Sequence, residues 1–171
     1  MKLTQLSNLF DITYGNGFEL NKLELSASSG SGVNFVSRTS KNNGVAAKVR
    51  ELPNSTPFAS GLITVAVSGS VLETFLQPEP FYTAYHVMVL TPKGNMTEEE
   101  KLFYCACIRR NKYRYSYGRQ ANKTLKKIEV PSIAPKWISR INAKSRINNN
   151  IHSRQRQFLT DPHGFRYRGV R

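Results

Sequence analysis

Apolar and polar positions follow several distinct rhythms along the chain. Between Leu3 and Ile12 the apolar residues Leu3, Leu6, Leu9 and Phe10 recur at helical spacing, with Thr4 and Ser7 as candidate caps, which predicts a short helix running into a strand. Tyr14-Gly15-Asn16-Gly17 ends it, since its two glycines permit a tight backbone turn. Ser26 to Gly32 reads as a small-residue loop, and Val33 to Val36 as a strand that delivers a dense polar loop, Ser37 to Gly44, to one edge of the domain. Gly61 to Val67 and Val71 to Leu76, joined by Ser68-Gly69-Ser70, predict a β-hairpin. Phe81 to Leu90 is apolar at both parities, the pattern of a strand covered on both faces, and predicts the centre of the sheet.

Thr97-Glu98-Glu99-Glu100 has the form of a capping box. The apolar Leu102, Phe103, Ala106 and Ile108 follow, and the basic Arg109, Arg110 and Lys112 close a helix predicted over residues 97–112. Lys126 to Val130 predicts a last short strand, closed by Pro131. No repeat with a period of about 20 to 50 residues is visible. Together these elements predict an α/β (α+β) protein. A single globular domain, residues 1–135, holds a central twisted, mostly antiparallel or mixed sheet flanked by short helices. A basic tail, residues 136–171, is expected to be partly helical or disordered and anchored to the domain by Trp137.

Composition agrees with one packed domain: 171 residues, 39% hydrophobic and 11% aromatic, with a mean hydropathy of -0.44. No stretch approaches the roughly 18 apolar residues of a membrane span, and the opening MKLTQLSNLFDITYGNG lacks the unbroken apolar run of a secretory signal, so a cytoplasmic location is expected. Cys105 and Cys107 are too close for an ordinary bridge and too few for a zinc site, and read as free thiols.

Charge alters the picture more than composition does. The net charge is +14, yet residues 1–100 carry 7 Lys and Arg against 9 Asp and Glu, whereas residues 101–171 carry 18 against 2. All of the excess lies in the last 71 residues, which favours a polyanionic partner over a merely solvated basic tail. The densest stretch, residues 109–123, interleaves Arg109, Arg110, Lys112, Arg114, Arg119 and Lys123 with three tyrosines and the amides of Asn111, Gln120 and Asn122. Charge there suits phosphates, while amides and guanidinia suit base edges. The loop at 37–44, with Arg38, Lys41, Asn42 and Asn43, has the same character.

No catalytic constellation accompanies this signal. His86 lies in the buried-strand pattern and reads as a core histidine, while His152 and His163 stand in the tail without clustered ligands. The acids are dispersed apart from the capping triplet, Cys107 has no visible base, and neither a phosphate loop nor a dinucleotide fingerprint occurs. No catalytic residue, metal or cofactor is expected.

Several segments then match one family in its own order. They are Leu6 to Ile12 with Tyr14-Gly15-Asn16-Gly17, Asn34 to Thr39 with Asn42-Asn43-Gly44, Gly61 to Ala66, Gly69-Ser70-Val71 with Phe75-Leu76-Gln77, Pro80-Phe81-Tyr82, and Tyr117-Gly118-Arg119 through Leu125 to Pro131. Over residues 3–135 the chain resembles a target recognition domain of the specificity (S) subunits of type I, or related type II, restriction-modification systems. The resemblance implies an α/β fold that reads one half of a bipartite double-stranded DNA target without performing chemistry. It also implies a DNA methyltransferase (M) subunit and an endonuclease subunit as partners. With one domain and no heptads, the chain is expected to be a half-subunit that forms a homodimer, a type II style subunit, or an excised domain. The DNA-binding residues expected are Arg38, Thr39, Lys41, Asn42, Asn43, Tyr117, Arg119, Gln120, Asn122, Lys123, Lys126 and Lys127, with loop side chains reading bases and the lysines positioning phosphates. A non-specific RNA-binding or ribosome-associated basic protein is the alternative, because composition alone does not separate DNA from RNA.

Overall fold

The computed structural model describes residues 2–26, 31–115 and 120–140. The tail expected beyond residue 140, part of the loop at 26–32, and Tyr117 and Arg119 lie outside these residues. In chain order the elements are β1 (Leu3–Gln5), α1 (Leu6–Leu9), β2 (Phe10–Tyr14), β3 (Val33–Val36), β4 (Val45–Val49), β5 (Ile63–Ala66), β6 (Thr74–Leu76), β7 (Phe81–Thr83), β8 (Val87–Pro92), α2 (Glu98–Arg109) and β9 (Glu129–Pro131). Strands β2, β8, β5 and β6 form a four-stranded antiparallel sheet in that order. A second sheet, β4-β3-β7, is mixed, with β3 parallel to β7, and β1 pairs with β9 alone. The α/β class, with an antiparallel and a mixed sheet and few helices, is the one that the patterning predicts.

Every residue of β5 is buried, as is expected of a strand with a neighbour on each edge and a covered face on each side. Thr64, the polar residue among them, is reconciled with the interior by hydrogen bonds: its Oγ1 donates to the Phe75 carbonyl and accepts from Gln77 Nε2. Helix α2 covers this sheet with Leu102, Phe103, Ala106 and Ile108, which join Leu6, Phe10, Ile63, Val65, Leu76 and Leu90 in the main core. Phe10 meets Tyr104 edge-on, with ring centroids 5.6 Å apart. Trp137 packs partly buried against the same core and Ile138 is fully enclosed. No helix among the described residues is long and apolar enough to cross a membrane.

Tertiary pairing redrew four of the predicted elements. The helical spacing of Leu3 to Ile12 yields only the single turn of α1, because Leu3–Gln5 is drawn into pairing with β9 and Phe10–Tyr14 with β8. Neither Thr4 nor Ser7 caps α1; the Thr4 hydroxyl instead accepts from Asn8 Nδ2 at 2.8 Å. The run Phe81 to Leu90 is two strands in two sheets, its apolar residues at both parities being divided between β3 and β5 as partners. His86 therefore lies in the turn between β7 and β8 at φ 60°, and its N–H donates to the Tyr14 hydroxyl at 2.7 Å. Lys126 and Lys127 belong to a 3-10 turn (Leu125–Lys127) that precedes β9, and both are exposed. The hairpin at 61–76 does form, but its connection is longer than Ser68-Gly69-Ser70 and includes the buried Leu72 at φ 58°. Strand β4 has no counterpart in the predicted elements.

The helix start at Thr97 is as predicted. Its Oγ1 accepts from the Glu100 N–H at 3.3 Å, and Glu100 Oε2 accepts from the Thr97 N–H at 2.9 Å. Replacing Thr97 by Ala should destabilise the protein by about 1 kcal/mol, read as a lower midpoint in urea at unchanged m-value.

Candidate nucleic-acid interface

Neighbouring strands of the antiparallel sheet run in opposite directions, so the ends of β2 and β5 lie beside the starts of β8 and β6. Residues 15–18, 67–73 and 84–86 therefore issue from one end of the sheet. Gly15 is one residue that makes this closeness possible, since a Cβ there would fall 1.9 Å from Thr83 Oγ1. Asn16 then clasps Thr83 twice, through its own N–H to Oγ1 (2.7 Å) and the Thr83 N–H to Oδ1 (3.0 Å).

Two further segments converge on the same end. The Val67 N–H donates to the His86 carbonyl and the Ala121 N–H to the Val67 carbonyl, both at 2.9 Å, so that residues 120–128 dock through the buried Ala121 and Leu125. From the mixed sheet, the loop after β3 lays Arg38 across the 67–73 turn. Arg38 Nη1 donates to Ser68 Oγ at 3.0 Å, and its carbonyl accepts the Ser70 N–H. Gly69, at φ 66°, allows that approach, since a Cβ there would stand 3.3 Å from Arg38 Cβ. The result is a cleft of about 590 Å³ with Arg38, Ser70, Glu73, Lys112, Tyr115 and Gln120 among its lining residues.

Arg38 and Gln120, both expected from the sequence, thus share one cleft, and Asn122 is tied to them because its Nδ2 donates to Gln120 Oε1 at 2.8 Å. Lys41 is exposed on the same loop as Arg38. Thr39 and Asn42 use side-chain groups to shape that loop, and Asn43 uses its backbone carbonyl. Thr39 Oγ1 accepts the Lys41 N–H, Asn42 Nδ2 donates to the Val45 carbonyl, and the Asn43 carbonyl accepts from Gln77 Nε2. Lys123, Lys126 and Lys127 are exposed on the segment leading to β9, outside the cleft lining. Arg109 is largely withdrawn from the solvent-facing set. Its guanidinium lies 4.8 Å above the Phe75 ring and donates to the Thr74 carbonyl; burial lowers its pKa, against the opposing pull of Cys105 and Glu73.

Glu73 and the serines of the 67–73 turn belong to the cleft but were not expected there, because the turn reads in sequence only as a hairpin connection. The signal available was Gly69 between two hydroxyl residues, which suits a backbone that another loop must approach. Among the described residues no group of three or more His, Cys, Asp or Glu is arranged to hold a metal ion.

Residues 1–133 match the family described as the type I restriction modification DNA specificity domain. The chain belongs to that family. Solved structures share the fold: the S subunit of a type I restriction-modification system from M. genitalium (TM-score 0.61, 15% identity) covers 92% of this chain with 40% of its own. The HsdS subunit from Thermoanaerobacter tengcongensis (TM-score 0.62, 13% identity) covers 92% with 39% of its own. A chain from a structure concerned with complex assembly and conformational transition of the type I restriction-modification system gives a TM-score of 0.61 at 14% identity, again over 92% of this chain and 40% of that one. This chain therefore spans about two fifths of the length of each. No curated protein matches.

The thiols of α2 stand apart from the cleft. Burial pushes both Cys105 and Cys107 up to about 12 from an ordinary value of 9. A raised value keeps the protonated thiol in the folded state, so the fully buried Cys105 should not react with a thiolate-selective reagent at about pH 8, the partly buried Cys107 should react only slowly, and both should react at once in denaturant. A cysteine titrating rapidly in the native protein would contradict the burial.

Proposed function

We propose that this chain is the DNA-reading, non-catalytic element of a restriction-modification complex, which recognises one half of a bipartite duplex target on behalf of a methyltransferase subunit. The convergence of Arg38 and Gln120, from two distant polar loops, on one cleft carries the reading in a chain of the DNA specificity family. Planar guanidinium and amide groups form paired hydrogen bonds to purine edges, which is the chemistry that sequence reading needs. Lys123, Lys126 and Lys127, exposed on the flank, serve as point charges for phosphates. The methyltransferase, and through it an endonuclease subunit, supply the chemistry in the cytoplasm. A second recognition half comes from a second copy of the chain or from a longer subunit.

Two measurements test this. For about six phosphate contacts, duplex affinity should fall with salt at a log-log slope of roughly -5; a slope near zero, or stronger binding of RNA than of any duplex, would remove the proposal. After a preferred duplex has been selected from a random pool, Ala at Arg38, Gln120 or Asn122 should cost about 1 to 3 kcal/mol on it and relax one base position, while Lys126→Ala should weaken all duplexes alike. Equal losses on every duplex would make the loops an electrostatic surface only.

A further inference from the structure

One acid stands inside this basic end. Glu73 is 7% exposed, and among the described residues lining the cleft it is the one carboxylate. A buried carboxylate is tolerated only where cations or donors replace its lost water. Here two cations meet it: Arg109 Nε lies 3.4 Å from Oε2, and Lys112 Nζ donates to Oε1. Arg109 is mostly withdrawn from solvent, its side chain 14% exposed, and is fixed over Phe75 and bonded to the Thr74 carbonyl, so it already matches the acid's charge within the protein. Lys112 is different. Its side chain is 44% exposed at the cleft, in a position from which a lysine would otherwise reach any passing phosphate.

We infer that Glu73 is a positioning residue for target discrimination, which holds Lys112 back from the phosphate backbone so that Arg38 and Gln120 dominate the cleft. This rests on the duplex-reading function proposed above. A lysine contact to phosphate strengthens binding to every sequence equally and so adds nothing to discrimination. Holding that charge on a buried acid lowers sequence-independent affinity while leaving the flat donor groups in place. The pairing also ties the 3-10 segment after α2, Arg110–Tyr115, to the start of β6 and thereby fixes one wall of the cleft.

The test uses the full chain, its selected duplex and a random duplex, with affinity measured across a salt series for the wild type, Lys112→Ala, Glu73→Gln, the double variant, and Lys126→Ala as the reference phosphate lysine. Lys126→Ala should make the slope shallower by about 0.9, whereas Lys112→Ala should leave it unchanged. Glu73→Gln should release Lys112, steepen the slope by about 0.9, tighten random-duplex binding about fivefold near 0.15 M salt, and reduce the preference for the selected duplex. The double variant should return the slope and random-duplex affinity to those of the wild type. A merely structural role would reduce the folded fraction and weaken both duplexes together without steepening the slope. If Glu73→Gln fails to fold, Lys112→Ala decides alone: a slope shallower by the same amount as for Lys126→Ala overturns the inference. An unchanged slope and preference in folded Glu73→Gln overturns it as well. Either result leaves duplex reading intact, while a wild type with no salt-dependent duplex binding overturns both.

Discussion

The antiparallel pairing of β2, β8, β5 and β6 is the constraint from which the cleft follows. Strands with buried faces must satisfy their backbone groups through their neighbours, and antiparallel neighbours reverse direction, so the ends of alternate strands fall side by side. That rule brings residues 15–18, 67–73 and 84–86 to one end of the sheet, although Gly15 and Ala84 stand 69 positions apart in the chain. Helix α2 reinforces the arrangement. Its start is held near β5 by Lys101 Nζ donating to the Gly61 carbonyl, and its end near β6 by Arg109, so the basic residues that follow emerge where the loops already meet.

The charges divide into two kinds. Pairs such as Lys22–Glu19, Arg50–Glu24 and Lys93–Asp11 are exposed and contribute little to stability. The Glu73 cluster is different because its carboxylate is enclosed and meets two cations at once, Arg109 from the protein side and Lys112 from the cleft. Paired with Arg109 and Lys112, this acid is neutralised within the protein.

Backbone strain gathers in the same region. Among the described residues the non-glycine positions with positive φ are Asn42, Asn43, Leu72 and His86. The first two shape the loop that carries Arg38, Leu72 lies in the 67–73 turn, and His86 turns the chain from the mixed sheet into the antiparallel one. Asparagine tolerates this conformation; Leu72 adopts it while fully buried, and His86 adopts it with its N–H donating to the Tyr14 hydroxyl. Such strain marks loops held in a defined shape.

The sequence by itself determined the local devices: the capping box at Thr97, the strand at Val33 to Val36, the β-rich runs at 61–76, the polar loops, and the uneven charge. Each depends on neighbours a few residues apart, where propensity and spacing act directly. Arg38 and Gln120 were legible as candidates because their chemistry suits base edges wherever they stand. Only the tertiary structure decided that they share a cleft, that Asn42 and Arg109 spend their donors within the protein, and that Glu73 lies between two cations. It also split Phe81 to Leu90 between two sheets and reduced Leu3 to Ile12 to one helical turn. The physical reason is the same in each case: hydrogen-bond partners and burial come from segments distant in the chain, and their combined free energy exceeds the fraction of a kcal/mol per residue by which local preference distinguishes helix from strand.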